Sequence, residues 1–281
     1  MIIMKKIQIL DSFWIRIIAI VTMVIDHIAV ALCASFILEN TSTLYLVLRV
    51  IGRISFPLYA LGIYEGVTHT KNIKKYLLRL FIMFLMVTLG IAFVNYVLKI
   101  ELGVDGNIFT TLFLGALLIY LLRLKNKYSL LAIIVCVFII ILQFPFIPNC
   151  IAPEYGLYGI GLILLYYLGS EVAEMQSKFK SENLGIDFAS YKLTTFYQED
   201  KNIMNIVAII FINLIFYIVS ILFPQFYTNY EMVIQSFSVI SIIFLLMYNG
   251  NRGYSAKWFR VFNYIFYPLH LIIIFGIILL I

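Results

Sequence analysis

The sequence predicts an all-α, polytopic integral membrane protein of about nine transmembrane helices, N-terminus inside and C-terminus outside, forming a single domain over residues 1–281. Three observations predict it. Hydrophobic residues make up 63% of the chain and charged residues 12%, with a mean hydropathy of +1.03. A soluble domain carries about 25% charged residues, so this chain has too little charge to cover a water-facing surface. Apolar runs near the 20-residue length of a spanning helix recur along it. Finally, the basic residues fall on one side of those runs.

The runs lie at roughly 13–38, 44–64, 76–98, 108–122, 129–146, 156–172, 203–223, 232–249 and 260–281. The first is too long for the core of a cleaved signal peptide, and no small-residue cleavage site closes it. With the N-terminus inside, every basic residue except Arg49, Arg53 and Lys99 falls at an inner connection or an inner helix end. That is the positive-inside pattern. The net charge of +6 therefore reads as topology in a cell inner membrane, with the lipid bilayer as partner and no nucleic acid. Homo-oligomerisation is left open. Cys33, Cys136 and Cys150 show no metal or redox spacing. One polar inner connection, at about 173–202, reads as a loop or an interfacial helix.

Ionisable residues within the runs carry the functional signal, because each costs roughly 2.5 kcal/mol or more at bilayer depth. Asp26 and His27 lie near the middle of the first run and Arg53 near the middle of the second. Arg16, Ile20, Met23 and His27 share one helical face. Arg16 precedes His27 by eleven residues, roughly 16 Å along a helix. That is about the length of a pantetheine arm. An arginine at the inner mouth can hold phosphates while a thioester reaches the histidine, although a snorkelling anchor gives the same pattern. Imidazole titrates near neutrality, so His27 is the candidate general base. Asp26 points about 100° away from His27 and is expected to pair with Arg53 on the next helix.

In the second run Arg49 and Arg53 are i, i+4 neighbours. Gly52 allows close helix approach, and Pro57 should kink the helix. His69, Lys71, Lys74, Lys75 and Arg79 follow as a basic cluster suited to cofactor phosphates. His270 lies in the last run beside Tyr267 and Pro268, at a depth where it could join the same cavity and shuttle a proton. Tyr59 and Glu65, with Asn107, Thr110, Tyr155 and Tyr158, are candidates for the acceptor side; Asp105 and Glu154 lie near the last four. The three histidines are too far apart in sequence to be read as a metal site.

The DHI of the first run, the segment RVIGRISFPLYALGIYEGVTHTKNIKKYLLRL, the segment NIFTTLFLG, YGLYG and the terminal NYIFYPLHL together resemble the TraX family. That family takes its name from a conjugation protein that N-acetylates pilin. The resemblance extends over about 13–122, 154–170 and 258–275, and the segment 173–202 lies outside it. Arg16, His27 and Arg53 are also similar to the opening of acyltransferase-3-type membrane enzymes, in which an Arg and a His on the first helix and an Arg on a following one belong to the active site. The resemblance implies catalysis by His27 with support from Arg16 and Arg53. It implies an acetyl-CoA or other acyl-CoA donor and does not fix the acceptor; the reading is of no metal and of an amine or hydroxyl acceptor on a membrane or surface protein or an envelope glycan. Acetyl transfer to a protein amine is the favoured activity. A proton-coupled transporter, with Asp26 and Arg53 as a gating pair, is the alternative from a different class.

Overall fold

The computed structural model describes residues 7–35, 37–97, 99, 106–124, 126–144, 146–224 and 229–278. Lys5, Lys6, Asp105 and Lys125 lie outside the described residues. Every regular element described is helical: α1 Ser12–Ala34, α2 Thr43–Gly52, α3 Ser55–His69, α4 Ile73–Ala92, α5 Ile108–Arg123 and α6 Leu131–Ile141. There follow α7 Gly156–Asn183, α8 Phe188–Tyr191, α9 Thr195–Leu222, α10 Asn229–Ser236, α11 Ile242–Leu246 and α12 Lys257–Ile278.

Five stretches among the described residues are long and apolar enough to cross a bilayer: Ser12–Cys33, Thr43–His69, Ile73–Tyr96, Gly156–Asn183 and Thr195–Leu222. The runs expected at 108–122, 129–146 and 232–249 instead form shorter apolar helices, Ile108–Arg123, Lys127–Ile141 and Glu231–Leu246. The polarity of α9 is inverted relative to a soluble helix. Val207, Ile210, Leu214, Ile218 and Ile221 are exposed, whereas Asn205, Asn213 and Ser220 are buried. An exposed apolar stripe over a buried polar one matches a lipid surroundings, where polar groups must find partners inside the protein. Asn213 does so by donating to Ser238 Oγ at 2.9 Å. The chain is a multi-pass membrane protein.

Contacts gather the chain into two compact units, Met1–Tyr59 with Leu168–Ile281, and Ala60–Tyr167. In the first, α1 is the central element. Asp11 caps it by accepting from the backbone N–H groups of Phe13 and Trp14 at 3.0 and 3.1 Å. Gly253, at φ +61°, lets the following loop close over that cap, since a Cβ there would overlap the Asp11 carboxylate. Ser12 Oγ and Tyr248 OH meet at 2.8 Å beside it.

Helix α12 runs parallel to α1. Phe259 meets Phe13 at one end, with ring centroids 4.9 Å apart, and His270 meets His27 further along. From α2 to Ser55 the chain runs antiparallel to α1, with Ser55 Oγ donating to the Ala19 carbonyl at 2.9 Å. The expected kink in this stretch falls at Arg53–Ile54, between α2 and α3. Proline has no N–H and its ring crowds the carbonyl four residues earlier. For Pro57 that carbonyl is on Arg53, so the break falls on the arginine itself.

The polar segment 173–202 is mostly helical, as α7 continues to Asn183 and α9 begins at Thr195. Asp200 is buried and organises the segment. It accepts from Ser177 Oγ at 2.8 Å and Tyr191 OH at 3.3 Å, and it pairs with Lys180 Nζ.

In the second unit Asn107 is fully buried and committed to structure. Its Oδ1 caps α5 by accepting from Phe109 N at 2.9 Å. Its Nδ2 donates to the carbonyls of Phe84 and Cys150 and to Thr88 Oγ1 at 3.1–3.3 Å. Close packing continues along α5, where a Cβ on Gly115 would come within 2.7 Å of Ile163 Cδ1. Asn107→Ala should destabilise the protein by at least about 2 kcal/mol, because it removes a cap and strands buried acceptors. Thermal unfolding in detergent measures this, and Asn107→Asp, which keeps the cap but not the amide donor, should fall between the two.

Candidate active site

Asp26 lies mid-way along α1, 7% exposed. Each of its oxygens takes a different arginine. Oδ2 accepts from Arg49 Nη1 and Oδ1 from Arg53 Nη2, both at 2.7 Å. The i, i+4 spacing of the arginines puts both guanidiniums on the face of α2 that meets α1. Between them Gly52 presents bare backbone to Asp26, and any Cβ at that position would overlap the carboxylate. The second terminal nitrogen of Arg53, Nη1, donates to Gln235 Oε1 on α10 at 3.1 Å. One carboxylate therefore holds two guanidiniums, which leaves one positive charge in excess within the cluster.

On the adjoining face of α1, His27 Nδ1 lies 2.6 Å from His270 Nε2. His270 Nδ1 lies 2.9 Å from the Phe266 carbonyl. With both rings neutral, these two contacts fix the protons. A carbonyl can only accept, so His270 Nδ1 carries hydrogen. His270 Nε2 then supplies the lone pair and His27 Nδ1 the N–H. The free lone pair of the relay is on His27 Nε2, which makes no hydrogen bond among the described residues. The rings of His27 and His270 are stacked at 4.8 Å, and Tyr267 stands edge-on to both at 6.0 and 5.4 Å. Phe266 stacks on the outer face of His270 at 5.1 Å. The charges of Asp26, Arg53 and Arg49 lie within electrostatic reach of His27.

The four residues assigned to chemistry from the sequence, Asp26, His27, Arg53 and His270, thus come together in the first unit. Asp26 pairs with Arg53 as expected, and the second arginine at Asp26 is Arg49. Arg16, on the same helix, is half-buried and makes no hydrogen bond or ion pair among the described residues. Tyr59 is half-buried in the same unit.

The remaining candidates lie in the second unit. His69 Nδ1 donates to the Glu65 carbonyl at 3.1 Å, which closes the end of α3, and Glu65 itself is half-buried. Lys71, Lys74, Lys75 and Arg79 are exposed around the start of α4. Arg79 Nε donates to the Lys75 carbonyl. Asn107 is spent on the staple described above. Thr110 and Tyr158 are buried, so Tyr158 is not part of a lipid-facing belt; Tyr155 is half-buried.

Gln235 is the residue that sequence reasoning missed. It is a neutral amide in the run 232–249, and neither charge nor spacing marks it. Among the described residues no group of three or more His, Cys, Asp or Glu side chains is placed to hold a metal ion.

Buried charges and a tautomer-fixed histidine pair inside a helical membrane protein define the class: a polytopic membrane protein with a polar site at bilayer depth. The family model described as TraX protein matches residues 12–278, nearly the whole length, and the chain belongs to the TraX family. No curated protein and no solved structure matches it.

Gly52→Ala should drive the Asp26 carboxylate off its two arginines. Its expected cost approaches the roughly 3–5 kcal/mol of breaking a buried ion pair. Gly62→Ala, with open space where its Cβ would go, should be nearly silent. Paired thermal-unfolding curves in detergent check the contrast.

Proposed function

We propose that this protein is a membrane acetyltransferase that moves the acetyl group of cytoplasmic acetyl-CoA to an acceptor at or across the inner membrane. A protein amine is the favoured acceptor. Membership of the TraX family, associated with pilin acetylation, supports the reaction class. The observation that carries the reading is the relay Phe266 carbonyl–His270–His27, which leaves a lone pair on His27 Nε2 beside an excess positive charge.

The steps follow from that relay. His27 Nε2 takes the proton from the acceptor nitrogen or oxygen as it attacks the thioester carbonyl. The imidazolium so formed keeps its Nδ1–H on His270 Nε2, which holds the ring in place. Negative charge collects on the former carbonyl oxygen and is met by the field of the Arg49–Arg53 pair. The carbon–sulfur bond then breaks, the amide or ester is complete, and the CoA thiolate recovers the proton.

Arg16 fits the donor's phosphates. It lies eleven residues before His27 on α1, roughly 16 Å along the helix, and is not committed to another described side chain. The exposed cations at the start of α4 offer a further phosphate-binding surface on the second unit. Acetyl-CoA supplies the activated acyl carbon, and the protein's own groups supply the base and the charge.

His27→Ala should abolish acetyl transfer while the protein still inserts. His270→Ala should slow it by about 10²-fold or more, the usual scale for a positioned proton-transfer group. Transfer of radiolabelled acetyl groups from acetyl-CoA to envelope proteins by membranes containing each variant measures both. Undiminished turnover by His27→Ala would remove the base assignment. For the donor, acetyl-CoA should raise the melting temperature of the wild type and raise it less in Arg16→Ala. No shift in the wild type would favour a transporter, which needs no such site.

A further inference from the structure

The structure assigns Gln235 as a substrate-facing donor: its side-chain amide nitrogen holds the substrate's acyl oxygen in the ground state and as negative charge grows on it. The inference rests on the acetyl-transfer reading for the identity of that oxygen, and on the geometry alone for the existence of an anion-accepting site.

Gln235 is 7% exposed, so its amide is well removed from water. The amide's orientation is fixed, because a guanidinium can only donate and Arg53 Nη1 therefore requires the oxygen, Oε1. The nitrogen Nε2 must point the other way, and it is buried with no hydrogen-bond partner among the described residues. An unsatisfied buried donor is uncommon in a native fold and calls for a partner. The charge balance indicates its kind. Asp26 neutralises one of two guanidiniums, and Gln235 adds an acceptor without adding a negative charge. A donor with no acceptor thus lies against an excess of positive charge, and both features select an oxygen bearing full or partial negative charge. Both terminal nitrogens of Arg53 are already engaged, by Asp26 and by Gln235. Arg53 Nη1 orients the amide, and Gln235 Nε2 makes the direct contact assigned here.

Two variants separate this role from a structural one. Gln235→Glu keeps an acceptor for Arg53 but removes the unspent donor and adds a negative charge to the cluster. Gln235→Ala removes both. If Gln235 only braced Arg53, Gln235→Glu would behave as wild type.

The first measurement is independent of activity and uses acetate as the anion, titrated against the detergent-solubilised protein with melting temperature as readout. Acetate should raise the melting temperature of the wild type and leave both variants unshifted. Absence of a shift in the wild type, or a shift retained in Gln235→Glu, overturns the anion site. The second measurement is acetyl transfer. Both variants should lose about 10²-fold or more in kcat, with the KM for acetyl-CoA changed far less, the scale expected for a lost oxyanion donor. Wild-type kcat in Gln235→Glu overturns the assignment. Acetate binding that is lost in the variants, with no acetyl transfer by the wild type, would sink the acetyltransferase reading and leave the anion site standing.

Discussion

The carboxylate of Asp26 is the constraint on which the site depends. At bilayer depth neither an unpaired carboxylate nor an unpaired guanidinium is tolerable, so the three charges on α1 and α2 fix one another's positions. The pairing sets the register of the two helices, since Asp26 meets Arg49 and Arg53 at 2.7 Å only when Gly52 lies flat against it. It also fixes the rotation of α1 about its axis. With Asp26 turned to α2, His27 is turned about 100° onward, where it meets His270 on α12. One ion cluster thus orients the histidine that follows it in sequence without touching it.

The break at Arg53 serves the same end. Had the chain continued as regular helix through Pro57, the Arg53 carbonyl would have had no hydrogen-bond donor and would have met the proline ring. Ending α2 at Gly52 places Arg53 at a corner, where one terminal nitrogen faces α1 and the other faces α10. A helix-interior arginine presents its fork to a single neighbour more readily than to two. The proline is thus part of the electrostatics as well as of the backbone path.

Much of this was legible in the sequence, and the parts that were not share a cause. Charges at bilayer depth are conspicuous, so the Asp26–Arg53 pair and the convergence of His27 with His270 could be read from position alone. Arg49 was harder because its location near a helix end also suits an interfacial anchor. The helical course of residues 173–202 was obscured because Asp200 reads as one more surface charge in a polar stretch, and only the fold shows it buried among Ser177, Tyr191 and Lys180. Asn107 looked like an acceptor-side residue, and it is a staple. Gln235 was invisible because a single neutral amide in an apolar run gives no periodic or electrostatic signal. Sequence reports the presence of charge well, and it reports poorly which hydrogen-bonding groups are left over once the helices have packed.

That leftover is where the physics of the site concentrates. A fully neutralised cluster would be the more stable ground state, and replacing Gln235 by a glutamate is the simplest route to one. The chain instead has a neutral amide whose oxygen satisfies Arg53 and whose nitrogen remains unspent, next to two guanidiniums that share the Asp26 carboxylate. Such an arrangement holds its stabilisation in reserve until a negative oxygen arrives. Interactions of that kind favour a transition state over the states on either side of it, because they strengthen only as charge develops. The histidine relay is complementary. Its proton chain ends in a lone pair on His27 Nε2, the arrangement that the proposed base role requires. Under the proposed reaction, a base that gathers positive charge and a donor field that meets negative charge are both positioned by one carboxylate, Asp26, on the helix they share or face.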